Sequence, residues 1–374
     1  MDFKFTAEQE AIYRTALNFG KTVKARADRQ SFDIWKEAGE FGLLGLCIPN
    51  EFGGMGLGAV ETALGLEAFS KGSQDAGLAF SIAAHLLACA MPIAEVASAE
   101  MKKDFLPKLC SGEKIGANAI TEPEAGSDTS LLKTTAEKRG NYYVLNGIKV
   151  FITNGPIADA FIVYATTNRA HGYKGVSAFL VEKGTPGLRV GKDLEKFGPT
   201  HSPFGELHFT DCEIPEQNRI GNEGVGSDIF KLAMNWERAC LFAIYIGQME
   251  SELEQAVEHA KNRRQFGKAI GRNQAISHQI ADMKIRLEAA RWLLYHACWK
   301  LDQKMDATLE ISMAKVAISE AAVESSLRCI HIFGGSAILM ESHISNGLRN
   351  AVPSTLFSGT SEIQRDLIAR KLGL

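Results

Sequence analysis

Residues 142–153 read YYVLNGIKVFIT, and this stretch decides how the chain is divided. Its aromatic and β-branched residues are typical of strands, and the pair Asn146-Gly147 stands between two such runs. Because a type I′ turn needs positive φ at both central positions, the pair predicts a two-residue hairpin turn. Similar β-type runs follow at 161–164, 176–181 and 204–212. The sequence therefore predicts a β domain of roughly a hundred residues.

Helical patterns flank this β region on both sides. Before about residue 118, Ala, Leu and Glu dominate, with Gly-rich breaks such as 52–56. After Pro215 the strand signals largely vanish, and an apolar stripe alternates spacings of four and three residues, which predicts a long helix that packs lengthwise. The stripe consists of Ile276, Ile280, Met283, Leu287, Ala290, Leu294, Ala297 and Leu301.

A partial second stripe follows a break at 302–306. It consists of Met313, Val316, Val323, Leu327 and Ile330. Two such helices joined by a short break predict an antiparallel helical bundle. We place an N-terminal helical domain at 1–116, a middle β domain at 117–222 and a C-terminal helical bundle domain at 223–374. The predicted fold class is mainly α with a β domain, which suits a chain of 374 residues.

Composition and charge exclude several classes of protein. Lys and Arg number 41 against 44 acidic residues, so strong nonspecific binding of nucleic acid is not expected. Seven scattered cysteines without a C-x-x-C pair favour reduced thiols over disulfides or a zinc site, and so a cytoplasmic location.

The N-terminus, MDFKFTAEQE, carries charges where a signal peptide needs its apolar core. The apolar stretch from Ala79 to Ala97 contains His85, Pro92 and Glu95, which favours a buried helix over a membrane span.

One helical segment stands out by its charge. Between Lys231 and Glu250 the only charged residues are Glu237 and Arg238. A carboxylate on an apolar helix loses hydration, which raises its pKa toward the range useful for proton transfer. Glu237 is therefore a candidate general base. The alternative from the residues alone is a structural ion pair or a subunit contact, although adjacent helix positions are poorly placed to pair with each other.

The α-β-α order and the motif Thr121-Glu122-Pro123-Glu124-Ala125-Gly126-Ser127-Asp128 resemble the acyl-CoA dehydrogenase superfamily of flavoenzymes. Further family-like motifs follow in order over the whole chain, at 147–155, 263–268, 332–335 and 359–365. Within the superfamily, 236–242 and 357–360 look most like the branch that oxidises prolyl groups tethered to a carrier protein in pyrrole or related natural-product biosynthesis. The resemblance implies an N-terminal helical domain, a β-barrel-like middle domain and a C-terminal four-helix bundle.

The resemblance also implies FAD as the cofactor, with Thr153 near the flavin N5 and Phe151 and Ile152 against the ring. The implied contacts in the β domain are Asn118, Ile120, Thr121, Gly126, Ser127, Phe151, Ile152 and Thr153. Those in the bundle are Arg263, Phe266, Gln274, His331, Gly334, Gly335, Thr360 and Glu362. Arg263 matches a family arginine that reaches the FAD of a neighbouring subunit, which requires at least a dimer; a homotetramer is typical of the family.

Two departures from the family pattern bear on catalysis. Many members carry the catalytic glutamate immediately before a Gly-Thr pair, but here that position is Ser358. In other branches the base precedes the arginine of a Glu-Arg pair, and Glu237 stands there. The resemblance thus assigns the base to Glu237 and leaves Ser358 a backbone N–H that stabilises the developing enolate. Ser127 and Arg238 are implied to contact the substrate. His331 and Ala337 depart from the family's usual Gln and Gly.

The expected activity is α,β-dehydrogenation of a prolyl thioester on an acyl or peptidyl carrier protein, giving a pyrroline or a pyrrole. In the expected step Glu237 removes the α-proton while a hydride leaves the adjacent carbon. One alternative is a dehydrogenase of a short or branched acyl-CoA. A second is a noncatalytic flavin or acyl-thioester binding homologue, since Ser358 cannot act as the base, and a third is a Rossmann NAD enzyme. No metal site and no membrane association are expected.

Overall fold

The computed structural model describes residues 4–25, 32–339 and 342–374. Residues 1–3 begin the N-terminal stretch MDFKFTAEQE, whose charges argue against a signal peptide, and they lie outside the described part of the chain. Within it, helices come first, an eight-stranded sheet follows, and helices complete the chain. The predicted α-β-α order is confirmed.

The N-terminal part is helical. Its helices are α1 (Ala7–Lys24), α2 (Phe32–Glu40), α3 (Ala59–Ser73), α4 (Ala76–Ala84), α5 (Met91–Val96) and α6 (Ala99–Cys110). A π-helical segment, His85–Ala90, joins α4 to α5. The continuous helix Ala76–Val96 is long and apolar enough to cross a membrane, but its apolar window is entirely buried inside the protein. The prediction of a buried helix for this stretch is confirmed.

The sheet occupies the middle of the chain. Its strands are β1 (Gly116–Ala119), β2 (Thr135–Arg139), β3 (Tyr142–Thr153), β4 (Ala160–Thr166), β5 (Val176–Glu182), β6 (Leu188–Val190), β7 (Phe204–Pro215) and β8 (Arg219–Ile220). They are ordered β6-β7-β3-β2-β4-β5-β8, and β1 pairs in parallel with β4. The runs predicted at 161–164, 176–181 and 204–212 lie in β4, β5 and β7, as expected.

The predicted hairpin turn at Asn146-Gly147 is wrong. Both residues lie inside the single strand β3, whose pairing with β7 shifts register between Leu145 and Gly147. From Leu145 to Gly147 strand β3 advances two residues while β7 advances three, from Cys212 to Phe209, so the β-bulge lies on β7, where Asp211 has φ 45°. Gly147 itself fits closely against β2, because a Cβ there would lie 2.4 Å from Thr134 Oγ1. The turn itself lies at 140–141, where Gly140 has φ 63°.

The C-terminal part is helical apart from a short hairpin. It contains α7 (Gly226–Trp236), α8 (Ala243–Asn262), β9 (Arg264–Gln265), β10 (Lys268–Ala269), α9 (Gln274–Asp302), α10 (Thr308–Phe333), α11 (His343–Ala351) and α12 (Ser361–Lys371). A π-helical segment, Glu237–Leu241, follows α7 directly. Helices α8, α9 and α10 pack on one another and α12 packs on α10, which forms the predicted bundle.

The two apolar stripes have different outcomes. The first lies on α9, where Met283, Leu287 and Leu294 are buried, so its prediction is confirmed. The second lies on α10, where all five of its residues are half-buried and Val323 and Ile330 pack against the core. The buried face of α10 consists of Ile311, Ser312, Ala314, Lys315, Ile318, Ser319, Ala322, Ser325, Ser326, Cys329 and Ile332. Small residues let the neighbouring helices approach closely, and a search for large apolar side chains passes over them.

A buried carboxyl group lies inside the bundle on α8. Glu252 accepts hydrogen bonds from Ser326 Oγ at 2.8 Å and from Gln248 Nε2 at 2.9 Å. Gln248 Nε2 also donates to the carbonyl of Gly347 at 2.8 Å. Burial raises the pKa of Glu252 from 4.5 to about 7, and the hydrogen bonds offset part of this rise. The folded protein therefore keeps a proton on Glu252 that the unfolded chain releases at lower pH.

This proton makes stability depend on pH. Below the pKa of the unfolded chain Glu252 is neutral in both states, and as pH rises through 7 the folded state loses the stability that the neutral form provides. A shift of this size corresponds to a loss of about 3 kcal/mol by roughly pH 8. We expect Glu252→Gln to remove this loss when unfolding by urea is measured at pH 5 and pH 8. Equal pH dependence in both proteins would contradict the assignment.

Candidate active site

A cavity of about 590 Å³ lies where helices α4 and α7, the sheet and the segment 353–359 meet. This volume is in the range of small-molecule and cofactor sites. All eight β-domain residues predicted to contact FAD line it, together with Glu237 and Ser358. The structure thus brings into one cavity residues that are separated by up to 240 positions, from Asn118 to Ser358.

Glu237 lies in the π-helical segment that follows α7. Its exposed fraction is 8%, and one carboxylate oxygen accepts a hydrogen bond from the hydroxyl of Ser358. Burial raises the pKa of Glu237, while the Ser358 hydrogen bond and the charge of Arg238 act in the opposite direction. A carboxyl group with a raised pKa at a cavity wall has the properties of a general base or acid.

Arg238 does not line the cavity with Glu237. Its Nε donates to the carbonyl of Ser358 at 2.6 Å. Gln364 Nε2 lies 3.4 Å from the same carbonyl oxygen. A Cβ on Gly359 would lie 2.7 Å from Gln364 Nε2 and 3.1 Å from an Arg238 nitrogen, so the turn fits closely against both side chains. Arg238 therefore holds the segment that carries Ser358, and its predicted contact with substrate stays a prediction.

A buried ion pair holds the segment 121–128 beside strand β3. Lys149 Nζ donates to Glu122 Oε1 at 2.7 Å and to the carbonyl of Ile120 at 3.0 Å. Glu122 also accepts from the backbone N–H of Lys133 at 2.6 Å and of Thr134 at 3.0 Å. Burial lowers the pKa of Lys149 to about 8, although Glu122 favours its charged form. This pair fixes the backbone of Ile120 and Thr121 at the cavity wall.

The cavity wall suits a flat aromatic group with attached polar groups. Phe151 has φ 61°, and its ring stacks on Phe204 at a centroid distance of 5.7 Å while remaining largely exposed. A Cβ added to Gly126 would meet no protein atom within 4 Å, so the backbone there is open to a ligand. Ser127 and Thr153 place hydroxyl groups on the same wall. The residues present therefore fit the isoalloxazine and ribityl parts of FAD.

The bundle residues predicted to contact FAD lie outside the cavity lining. Six of the eight are exposed near the ends of α8 and α10: Arg263, Phe266, Gln274, His331, Gly334 and Gly335. Stacking of His259 on Phe333, at a centroid distance of 4.2 Å, brings these two helix ends together. Glu362 is exposed, and Thr360 caps α12 by accepting from the N–H of Ile363. The six exposed residues thus lie on the surface of the chain, outside the lining of its cavity.

Several cavity residues were missed by sequence reasoning. They include Phe80, Ala84, Ala88, Lys196, Ser202, Phe230, Met234 and Phe357. One signal was available, because Phe230, Met234 and Glu237 follow at spacings of four and three, which places them on one helix face. The residues on the 196–204 loop carry no such periodicity. Among the described residues, no group of three or more His, Cys, Asp or Glu is placed to hold a metal ion.

This three-part fold, with a carboxylate and a hydroxyl-lined aromatic wall in one cavity, defines the class of protein: the chain belongs to the acyl-CoA dehydrogenase family. Its N-terminal, middle and C-terminal domain models match residues 6–113, 117–212 and 224–373.

Individual relatives show which members of the family this chain resembles. The chain is 54% identical to an L-prolyl-[peptidyl-carrier protein] dehydrogenase of Pseudomonas fluorescens, over 91% of this chain and 90% of the relative. The solved structure of PigA with FAD and proline superposes with a TM-score of 0.97 at 48% identity and covers all of both chains. The prolyl acyl carrier protein oxidase AnaB superposes with a TM-score of 0.96 at 40% identity, over 99% of this chain and 100% of that one.

The ion pair between Lys149 and Glu122 gives a testable prediction. Lys149→Met leaves a buried carboxylate without its cation, which costs about 3–5 kcal/mol. We expect lower stability in urea unfolding and weaker retention of FAD, because the wall at 120–127 loses its support. The double variant Lys149→Met/Glu122→Gln removes the unpaired charge and recovers part of the stability. A single variant as stable as the parent would show that the pair does not hold this wall.

Proposed function

We propose that this protein uses FAD to oxidise a prolyl group carried as a thioester on a peptidyl carrier protein. The observation that carries the proposal is the buried Glu237 carboxylate, which faces the same cavity as the residues that fit FAD. The named activity of the 54% identical relative and the FAD and proline in the PigA structure support both the substrate and the cofactor. The product class is a pyrroline or pyrrole thioester of natural-product biosynthesis.

FAD supplies the acceptor for the hydride in this chemistry. The residues that would hold its flavin end are Ile120, Thr121, Phe151, Ile152 and Thr153 on the sheet side of the cavity. Gly126 and Ser127 offer an open backbone and a hydroxyl beside them. Asn118 is fixed by hydrogen bonds from its Nδ2 to the carbonyl of Ala88 at 2.7 Å and to Tyr164 Oη at 3.3 Å.

Glu237 acts as the base in this proposal. A thioester carbonyl acidifies the hydrogen on the α-carbon, so a carboxylate with a raised pKa is basic enough to remove that proton. The negative charge that develops on the carbonyl oxygen needs a donor, and the backbone N–H of Ser358 is the proposed one. Ser127 and Arg238 remain the proposed substrate contacts. Arg238 would act through the Ser358 segment that it holds.

The cavity itself matches a small cyclic substrate with a polar attachment. Its helical side is formed by the carbon surfaces of Phe80, Phe230, Met234 and Phe357. Phe80 lies against Phe357 at a centroid distance of 4.5 Å, which closes that side. Burial lowers the pKa of Lys196, which lies on the lining with Glu237. An apolar wall facing a carboxylate suits a ring whose α-carbon has to be presented to that carboxylate.

We also propose a homo-oligomer, with a homotetramer as the expected form and a cytoplasmic location. Helix α9 is buried along one stripe, yet it also exposes 66% of Ile285 and 49% of Trp299 on its outer side. Phe266 is 96% exposed beside Arg263. Apolar side chains exposed in this way are typical of a surface that a second copy covers. Arg263 and Phe266 would then reach the FAD of the neighbouring copy, as the family resemblance implies.

Replacement of Glu237 tests the proposed function. Glu237→Gln keeps the size of the side chain but removes its basicity, so we expect a folded, yellow protein whose flavin is no longer reduced by prolyl-carrier protein. Flavin absorbance and the intact mass of the carrier protein report the outcome together. Rapid flavin reduction by the variant would contradict the role of Glu237.

A substrate comparison on the parent protein separates the proposal from its alternatives. Prolyl-carrier protein and isovaleryl-CoA are assayed side by side, and we expect reduction with the former only. Reduction only by isovaleryl-CoA would assign an acyl-CoA dehydrogenase. A flavin that no thioester reduces would assign a noncatalytic homologue.

Negative charges introduced on the outer side of α9 test whether a second copy of the chain covers this surface. We expect Ile285→Asp/Trp299→Asp to lower the mass in light scattering and to lower FAD occupancy, because the neighbouring copy no longer supplies Arg263. Leu131→Asp is the matched control, since Leu131 is similarly exposed but lies in the β domain. A double variant with the mass and FAD content of the parent would contradict the proposal.

A further inference from the structure

We propose that the hydroxyl of Ser358 is a positioning group for the catalytic base: it orients the Glu237 carboxylate and keeps it ionised for proton abstraction. This inference rests on the proposed function and adds a role for a side chain that the family pattern leaves without one. The family resemblance implies a role only for the backbone N–H of Ser358. The side chain belongs to the position where many family members carry the base itself.

The first observation is the contact between the two side chains. The Oγ–H of Ser358 donates directly to Oε1 of Glu237, across 121 positions of sequence. Glu237 is buried, and both residues line the cavity. One carboxylate oxygen is therefore engaged by the hydroxyl, which fixes the orientation of the other. A hydrogen bond to an ionised group is stronger than one between neutral groups and favours the ionised form.

The second observation is the backbone conformation at Ser358. Its φ is 55°, in the left-handed region, and Gly359 follows with φ 85°. Left-handed backbone is unfavourable for any residue with a Cβ, and glycine adopts it without this strain. Serine at this position keeps a hydroxyl at the expense of backbone strain. The structure gives that hydroxyl one named partner, Glu237.

The third observation is that Arg238, the residue after Glu237, holds the backbone carbonyl of Ser358. Arg238 Nε donates to the Ser358 carbonyl at 2.6 Å, and Gln364 Nε2 lies 3.4 Å from it. The consecutive residues Glu237 and Arg238 thus contact the side chain and the backbone of one serine. Both residues lie in the π-helical segment Glu237–Leu241. The position of the base is therefore coupled to the 358–359 turn by two separate hydrogen bonds.

The charges around the carboxylate agree with this role. Burial raises the pKa of Glu237, and the Ser358 hydrogen bond is the largest influence that lowers it, followed by the charge of Arg238. Tyr164 of β4 also interacts with Glu237, but burial raises the pKa of its phenol, so it stays neutral. Lys196 lies on the lining of the same cavity. Without the Ser358 hydroxyl, the charge of Arg238 would be the main influence left that lowers the pKa of Glu237.

The test compares Ser358→Ala with Ser358→Gly. Both remove the hydroxyl, but glycine relaxes the left-handed backbone, so a property that both variants share follows from the hydroxyl and not from strain. We expect both to bind FAD and to shift the acid limb of the pH profile for flavin reduction by prolyl-carrier protein upward by about one unit. Profiles that coincide with the parent in both variants would overturn the proposal.

A second readout needs no substrate and separates this proposal from the proposed function. Difference infrared spectroscopy of the FAD-bound protein follows the protonated carboxyl band that Glu237→Gln eliminates. We expect this band to appear at higher pH in Ser358→Ala and Ser358→Gly than in the parent, even if prolyl-carrier protein is not the substrate. The same titration midpoint in all three proteins would overturn the role of Ser358, whereas a failure of prolyl oxidation alone would overturn only the substrate assignment.

Discussion

The desolvation of one carboxylate constrains the rest of the site. Glu237 is buried in an otherwise apolar helical segment, and a carboxylate without water is costly unless other groups stabilise its charge. The hydroxyl donor comes from a segment more than a hundred positions away, where Ser358 donates to the carboxylate, and Arg238 beside Glu237 holds the Ser358 carbonyl. The bundle has to form before this contact exists, so the chemistry of the base depends on the packing of α8, α10 and α12.

The opposite wall depends on a second buried charge. Lys149 on β3 pairs with Glu122 and thereby holds the backbone at 120–121, while Gly147, which has no side chain, lets the same strand pass close to Thr134. The helical and sheet parts thus each place cavity residues through hydrogen bonds to a buried charged group, Glu237 in the helical part and Lys149 in the sheet. The space between the two walls is what FAD and the prolyl thioester would share. The family fold supplies the cavity, and the Glu237 and Ser358 pair specifies how the base is held within it.

The sequence predicted much of the fold because its signals are local. The β-type runs of β4, β5 and β7 and the stripe of α9 depend on residues close together in the chain, and all are confirmed. Asn146-Gly147 was misinterpreted because a glycine can serve a turn or a close contact inside a strand, and only the neighbours of β3, such as Thr134, distinguish the two. The buried face of α10 was not predicted from the sequence because alanine and serine, which give no apolar stripe of large side chains, form much of it.

The candidate site was also predicted only in part from the sequence. Glu237 was recognisable from the charge pattern of its own helix, and the β-domain residues from family-like motifs. The hydroxyl contact of Ser358 and the aromatic closure by Phe80 and Phe357 were not, since they exist only through long-range packing. The sequence therefore pointed to the proposed base more readily than to the groups that position it.

Glu237 is proposed to face the α-carbon of a prolyl thioester beside FAD. A crystal structure of the Glu237→Gln variant with FAD and prolyl-pantetheine bound would test this arrangement most directly. We expect the substituted side chain to lie about 3–3.5 Å from the α-carbon, the separation of a near-attack geometry. An α-carbon well beyond that reach, with a different basic side chain facing it, would show that Glu237 is not the base.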